Sequence, residues 1–188
     1  MTMATWYTAD LHLGHAAIIG YCDRPHRDVS TMEQAILRAL EERVTWTDDL
    51  WIVGDFAFGG VGDAHRIWPW FDRIPGHKHL VLGNHDDETV RSLPWTSVQD
   101  MAEIRDGDQR FTLCHYPMVT WNGARRGAVQ LFGHVHQSWH GTRNSVNVGV
   151  DVWDFRPIRR ENILARARRL PVNAHWKDVE PRSEPWGR

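Results

Sequence analysis

The sequence is poor in cysteine, nearly balanced in charge and free of long apolar runs, and each of these absences excludes a class of protein. Only two cysteines, Cys22 and Cys114, occur among 188 residues, and they make neither a disulfide framework nor a CxxC pair. Their scarcity fits a reducing, cytoplasmic compartment. No segment approaches the roughly 20 consecutive apolar residues needed to cross a bilayer, so no membrane partner is expected. Met1 to Asp10 has neither a basic stretch nor an apolar one, so no secretory signal is expected either. A net charge of −2 argues against whole-surface affinity for nucleic acid and leaves only a local patch open. With 41% hydrophobic and 24% charged residues, the chain is not disordered, collagen-like or a coiled coil.

What stands in excess is histidine, twelve in all, and tryptophan, eleven. The length suits one domain, read as residues 1–170, with a polar, mobile tail over 171–188. Residues 4–9 read as a first strand. Ser30 and Glu33 make a capping box for a helix reaching about Trp46, with Met32, Ile36, Ala39, Leu40 and Val44 at helical spacing. Residues 50–53 and 79–82 are short apolar strands, separated by a helix from Asp63 to Phe71 that Pro69 disturbs. Residues 98–104 and 110–114 flank Asp106-Gly107-Asp108 as an antiparallel hairpin. Two further strands fall at 129–132 and 145–148, and a last helix at 159–170. Alternating strands and helices argue for parallel βαβ units, and the later hairpin for a mixed sheet beside them. The fold class is α/β.

The chemistry sits where these strands stop. The first ends in Asp10-Leu11-His12, the second in Gly54-Asp55 and the third in Gly83-Asn84-His85-Asp86. The hairpin strand runs into His115, and the next into Gly133-His134-Val135-His136. In open α/β sheets ligands bind beyond the carboxyl ends of strands, so five such ends can aim at one place. In an extended chain Asp10 and His12 share a face, as do His134 and His136, and each pair acts as a two-toothed clamp. Cys114 then faces away from His115 as a core residue. The glycines before Asp55, Asn84 and His134 let the backbone turn sharply.

Those blocks, in that order, resemble the calcineurin-like metallophosphoesterases, and they look closest to small bacterial or phage phosphoesterases. The resemblance spans residues 10–136 and implies two packed mixed β-sheets flanked by helices, an α-β-β-α sandwich with a two-metal centre at one edge. It implies one ion on Asp10, His12, Asp55 and His136, and the other on Asp55, Asn84, His115 and His134, with Asp55 shared. Carboxylate, imidazole and amide donors suit manganese, iron or zinc, with manganese expected to support activity. Two divalent ions against Asp10 and Asp55 leave a positive site that attracts a phosphate ester and a hydroxide. His85 is the expected proton donor to the leaving oxygen, and Asp86 the group that orients it. The implied activity is hydrolysis of a phosphodiester or monoester of a small molecule or nucleotide. The alternatives are a nuclease or nucleic-acid end processor and, less favoured, a non-catalytic metal-binding scaffold. After Gly54-Asp55 the chain reads Phe56-Ala57-Phe58-Gly59-Gly60, without the arginine found there in Ser/Thr protein phosphatases and dinucleoside tetraphosphatases. That departure counts against both substrate types.

Other residues stay open on sequence grounds. His15 either lines the phosphate pocket or caps the following turn. Arg125 and Arg126 either grip a substrate phosphate or stand solvated in a loop. Residues 147–151 either support the site from behind or simply turn the chain. Arg156, Arg159, Arg160, Arg166, Arg168 and Arg169, with only Glu161 nearby, form either a nucleic-acid track or, as favoured, a solvated helix face. Trp121 and Trp139 either stack a nucleobase or shield the metals.

Overall fold

The computed structural model describes residues 3–58 and 64–181. The expected helix start at Asp63, Gly59-Gly60 and the tail beyond Pro181 lie outside the described residues. Four strands, β1 (Thr5–Thr8), β2 (Asp49–Val53), β3 (His77–Val81) and β4 (Ser97–Gln99), form one sheet in that order. A second sheet holds β5 (Ala102–Asp106), β6 (Gln109–Leu113), β7 (Val129–Phe132), β8 (Gly141–Thr142) and β9 (Ser145–Asn147) in the order β5-β6-β7-β9-β8. The second sheet is mixed: β5 and β6 are antiparallel, as are β8 and β9, whereas β6, β7 and β9 run parallel. The first is wholly parallel rather than mixed. The segment read as one strand over 98–104 is in fact two. The chain leaves the first sheet at Gln99 and enters the second at Ala102.

The helices are α1 (Ile18–Tyr21), α2 (Val29–Glu41), α3 (Ala64–Arg73), α4 (Glu88–Arg91), α5 (Arg160–Ala167) and α6 (Trp176–Val179). Along β2, Leu50 and Ile52 pack toward Met32, Ile36 and Leu40 of α2 and Ile67 and Phe71 of α3. Trp51 and Val53 instead meet Phe111, Leu113, Val129 and Leu131 of the second sheet. Both faces of the first sheet are thus covered, which is why β2 reads as a continuous apolar run rather than an alternating one. With α5 packed near β9, the layers are helix, sheet, sheet, helix. No helix among the described residues is long and apolar enough to cross a membrane.

Several local expectations change. The capping box of α2 is Asp28 with Thr31, whose side chain and backbone exchange hydrogen bonds with Asp28 at 3.2 and 2.8 Å. Ser30 and Glu33 do not cap it: Glu33 Oε1 accepts from Gly14 N at 2.9 Å and so holds the loop after β1. The helix stops at Glu41, short of exposed Trp46, while α3 continues through Pro69 to Arg73. The described part of the expected mobile tail is docked. Arg143 N donates to Pro171 O, and Trp176 is 2% exposed against Trp121, Ala124 and Ala128. Burial of an indole of that size offsets part of the chain freedom the segment loses.

Candidate metal centre

Five strand ends, those of β1, β2 and β3 in the first sheet and β6 and β7 in the second, deliver Asp10, His12, Asp55, Asn84, His85, His115, His134 and His136 to one edge of the sandwich. The backbone that does so is not extended. Asp10, His12, Asp55, His134 and His136 have φ of 57°, 51°, 58°, 68° and 47°. The two-toothed clamps therefore arise from left-handed bends, and the strand-period argument for them is wrong. Side chains other than glycine avoid this region, so its concentration here marks local strain held by the surrounding fold. Of the glycines, only Gly54 acts as expected, with φ +87°. Gly83 and Gly133 matter by size: a Cβ would strike the carboxylates of Asp55 and Asp10 respectively.

Asp55 is the hub. Its Oδ1 accepts from the His85 backbone N at 2.9 Å, which leaves Oδ2 lying 3.3 Å from His12 Nε2 and 3.3 Å from His115 Nε2. On one side, ligand atoms of Asp10, His12 and His136 lie within 4.8 Å of one another. On the other, Asn84 Oδ1 stands 3.2 Å from His115 Nε2 and 3.0 Å from His134 Nδ1. Asp10 Oδ1 accepts from His134 N at 2.9 Å, tying the two sides together. Asp10 Oδ2 and His12 Nε2 are buried with no hydrogen-bond partner among the described residues. Buried polar atoms are rarely left so. A carboxylate oxygen and an imidazole nitrogen orphaned side by side fit a divalent cation.

Burial pushes the Asp10 carboxyl up to about 6 and the His12 imidazole down to about 2, so His12 is neutral and able to ligate. Burial works to raise Asp55 too, but the hydrogen bond and charge of His115 outweigh it and hold the group down at about 2. Two outer partners fix ring orientation. His115 Nδ1 donates to Val53 O at 2.9 Å, turning Nε2 toward Asp55. His136 Nδ1 donates to Asp151 Oδ2 at 2.7 Å. Burial alone would lower His136; the bonds to Asp151 and Cys22 outweigh it and push its pKa in the metal-free chain up to about 10. Such carboxylate–imidazole pairs orient metal-binding histidines.

The 147–151 segment thus does more than turn the chain. Asn147 Nδ2 donates to the carbonyls of His136 and Trp139, shaping the loop that carries His136. Sequence reasoning missed Arg24. Buried beside the site, it grips both Asp151 oxygens at 2.8 and 2.9 Å and donates to the carbonyls of Asp10 and Leu11. It lies in the polar turn after α1, and nothing in its local pattern distinguishes it from a surface arginine.

Three expectations for the catalytic and substrate residues need correction. Asp86 does not orient His85: its carboxylate accepts from the backbone N of Gly83, Asp55 and Phe56 at 2.8, 2.9 and 2.8 Å. Both oxygens are consumed in clamping the β2 and β3 loops together. The His85 ring instead packs against His12, His15 and Phe58. Arg125 and Arg126 are exposed on a short turn before β7, whereas the site lies beyond the far end of that strand. Gln109, at the start of β6, donates to Gly127 O and fixes that turn at the opposite edge. Trp121 is buried, Trp139 stacks on Phe132, and neither lines the cavity beside the metal donors. Cys114 is half-buried rather than a core residue.

A cavity of about 610 Å³ opens beside the donors, lined by His12, His15, His85, His134 and His136 and by Tyr21 and Phe58 at its exposed rim. His15 belongs to this wall: it stacks on Phe58 at 4.0 Å and meets His12 Nδ1 at 3.2 Å. No lysine or arginine lines it among the described residues.

No family model matches the chain. The Gene 66 protein of Mycobacterium phage D29 is 30% identical over 186 residues, covering 81% of this chain and 91% of that protein. The Gene 66 protein of Mycobacterium phage L5 is 28% identical over 192 residues, covering 85% and 91%. Among solved structures, the protein of unknown function AQ665 from Aquifex aeolicus is 24% identical and shares the fold at a TM-score of 0.70, over 86% of this chain and 98% of that one. With its motif blocks on the strand ends of a helix-sheet-sheet-helix frame, the chain shares the fold of AQ665 and belongs to the family of the mycobacteriophage Gene 66 proteins.

Proposed function

We propose that this chain is a dinuclear-metal phosphoesterase acting on a phosphodiester or monoester of a small molecule or nucleotide. The observation that carries the reading is Asp55 Oδ2, which stands 3.3 Å from His12 Nε2 and 3.3 Å from His115 Nε2, at the junction of the two donor sets. Asp10, His12, Asp55 and His136 are the ligands of one ion, and Asp55, Asn84, His115 and His134 those of the other. When bound, the ions supply Lewis acidity toward the phosphoryl oxygens and activate the attacking water. The chain's own grip on the phosphate is imidazole rather than guanidinium, since histidines line the cavity and, among the described residues, no arginine does. His85, in that wall and held at the site by its backbone bond to Asp55 Oδ1, carries a proton to the leaving oxygen. Help of this kind favours diesters, whose alkoxide leaves poorly. Manganese suits the mixed oxygen and nitrogen donors, and the free cysteines fit a cytoplasmic setting.

Turnover of an aryl phosphodiester and an aryl phosphomonoester with manganese, alongside metal analysis, tests this. The wild-type chain should hold two ions and prefer the diester. Asp55→Asn should lose metal and activity together, and His85→Ala should keep the metal but slow turnover about 10²–10⁴-fold. Monoester-only hydrolysis would remove the diester preference. A two-metal protein that cleaves neither ester, and is indifferent to His85→Ala, is a scaffold and not an enzyme.

A further inference from the structure

The arginines that read as one stripe separate in the fold. Arg160 turns away, donating to Asp106 O at 2.8 Å and lying 3.5 Å from Asp108. Arg156, Arg159 and Arg166 converge instead, with Arg43 from just beyond α2, on a second cavity of about 420 Å³ that shares no lining residue with the first. Indole rings hold two of them in place. The Arg159 guanidinium lies 5.5 Å over Trp6, and that of Arg166 lies 3.2 Å over Trp153 while donating to Val152 O. The rings are themselves fixed, Trp6 Nε1 by Asp48 and Trp153 Nε1 by Asn147 O.

The charge is one-sided. Asp154 is the one acid in the lining, and the pairs nearest it are loose: Glu42 is 3.6 Å from Arg43 and Glu161 is 4.0 Å from Arg159, both glutamates mostly exposed. Arg156 has no carboxylate within 4.0 Å among the described residues. Asp154 and Phe155, at φ of 51° and 58°, make a left-handed bend that brings Arg156 N back to Trp153 O at 3.0 Å and leads the chain to Arg159 over Trp6. Such strain in two non-glycine residues persists only where the surroundings hold it. Four guanidinium groups brought together from three segments, two of them pre-stacked, lose little freedom on meeting an anion. A concave volume of this size suits a small molecule, and arginines ringing a hollow do not track a strand.

We infer that this cavity binds a small, multiply charged phosphate anion, at a site separate from the metal centre. Calorimetric titration of inorganic pyrophosphate into the full chain, with chelator present so that the metal centre adds nothing, tests it. One molecule should bind per chain, more weakly as salt is added. The Arg156→Gln/Arg159→Gln variant should lose at least ~10-fold in affinity, and Arg43→Gln on another segment should weaken binding in the same direction. The charge-keeping Arg156→Lys/Arg159→Lys variant should recover part of it, which a folding defect would not allow. Equal binding by the wild type and the glutamine variants, no binding at all, or capture of a single-stranded oligonucleotide without pyrophosphate would each overturn the inference.

Discussion

At the scale of single residues, the site is set by what each side chain is denied. Asp10 Oδ2 and His12 Nε2 are buried with no hydrogen-bond partner among the described residues, while His136 has been given a strong one in Asp151. His136 titrates above its ordinary value in the metal-free chain, toward about 10. Its cationic form therefore stabilises that state fully below the unfolded value near 6.5, and the contribution is lost as pH rises through the folded one. Thermal unfolding in chelator should show stability falling over this window, and Asp151→Asn should flatten the fall. An unchanged slope in the variant would exclude the pair as its source. The same variant should bind metal about 10–100-fold more weakly, because the imidazole loses its orienting partner. The ligand types were legible in the sequence, since each follows an apolar strand. Asp86 was misread because adjacency in sequence says nothing about where a carboxylate finds donors, and three backbone N–H groups outbid one neighbouring ring.

At the scale of elements, most strands follow from their apolar runs, and the exception is instructive. Residues 98–104 carry no glycine or proline to mark the passage between sheets, so the break at Asp100-Met101 is fixed by which sheet each half can join. Arg24 shows the same limit. It joins the loop after β1, through the carbonyls of Asp10 and Leu11, to the turn at Asp151, and that meeting of distant segments exists only in the fold. Arg24→Gln leaves buried Asp151 with His136 alone for a cation, and removing one partner of a buried pair costs up to about 3–5 kcal/mol. Denaturant unfolding should show a loss of that order, and metal titration a weakening of the Asp10, His12 and His136 side first. A variant as stable as the wild type would mean that water takes over the bonds of Arg24.

At the scale of the whole molecule, the segment around Trp176 is part of the fold. Trp176 closes a small cluster with Trp121, Ala124 and Ala128, remote from the metal donors. Trp176→Ala should lower the unfolding free energy by up to about 3–5 kcal/mol while leaving metal content unchanged. A drop in metal content would show that this cluster and the centre are coupled. The tryptophan excess is accounted for in part here, by a residue that a polar flanking sequence disguised.

The centre draws Asp10, His12, Asp55 and Asn84 from the first sheet and His115, His134 and His136 from the second, so it straddles the seam between them. Ions seated there would bind the folded chain and not the unfolded one, and so would act as rivets as well as reagents. Starved of metal, the protein would hold the buried Asp10 Oδ2 and the strained bends of the site unaided. Scarcity of the ion would then shorten its life against proteases as well as silence it, and its abundance would track the metal supply of the cell that makes it.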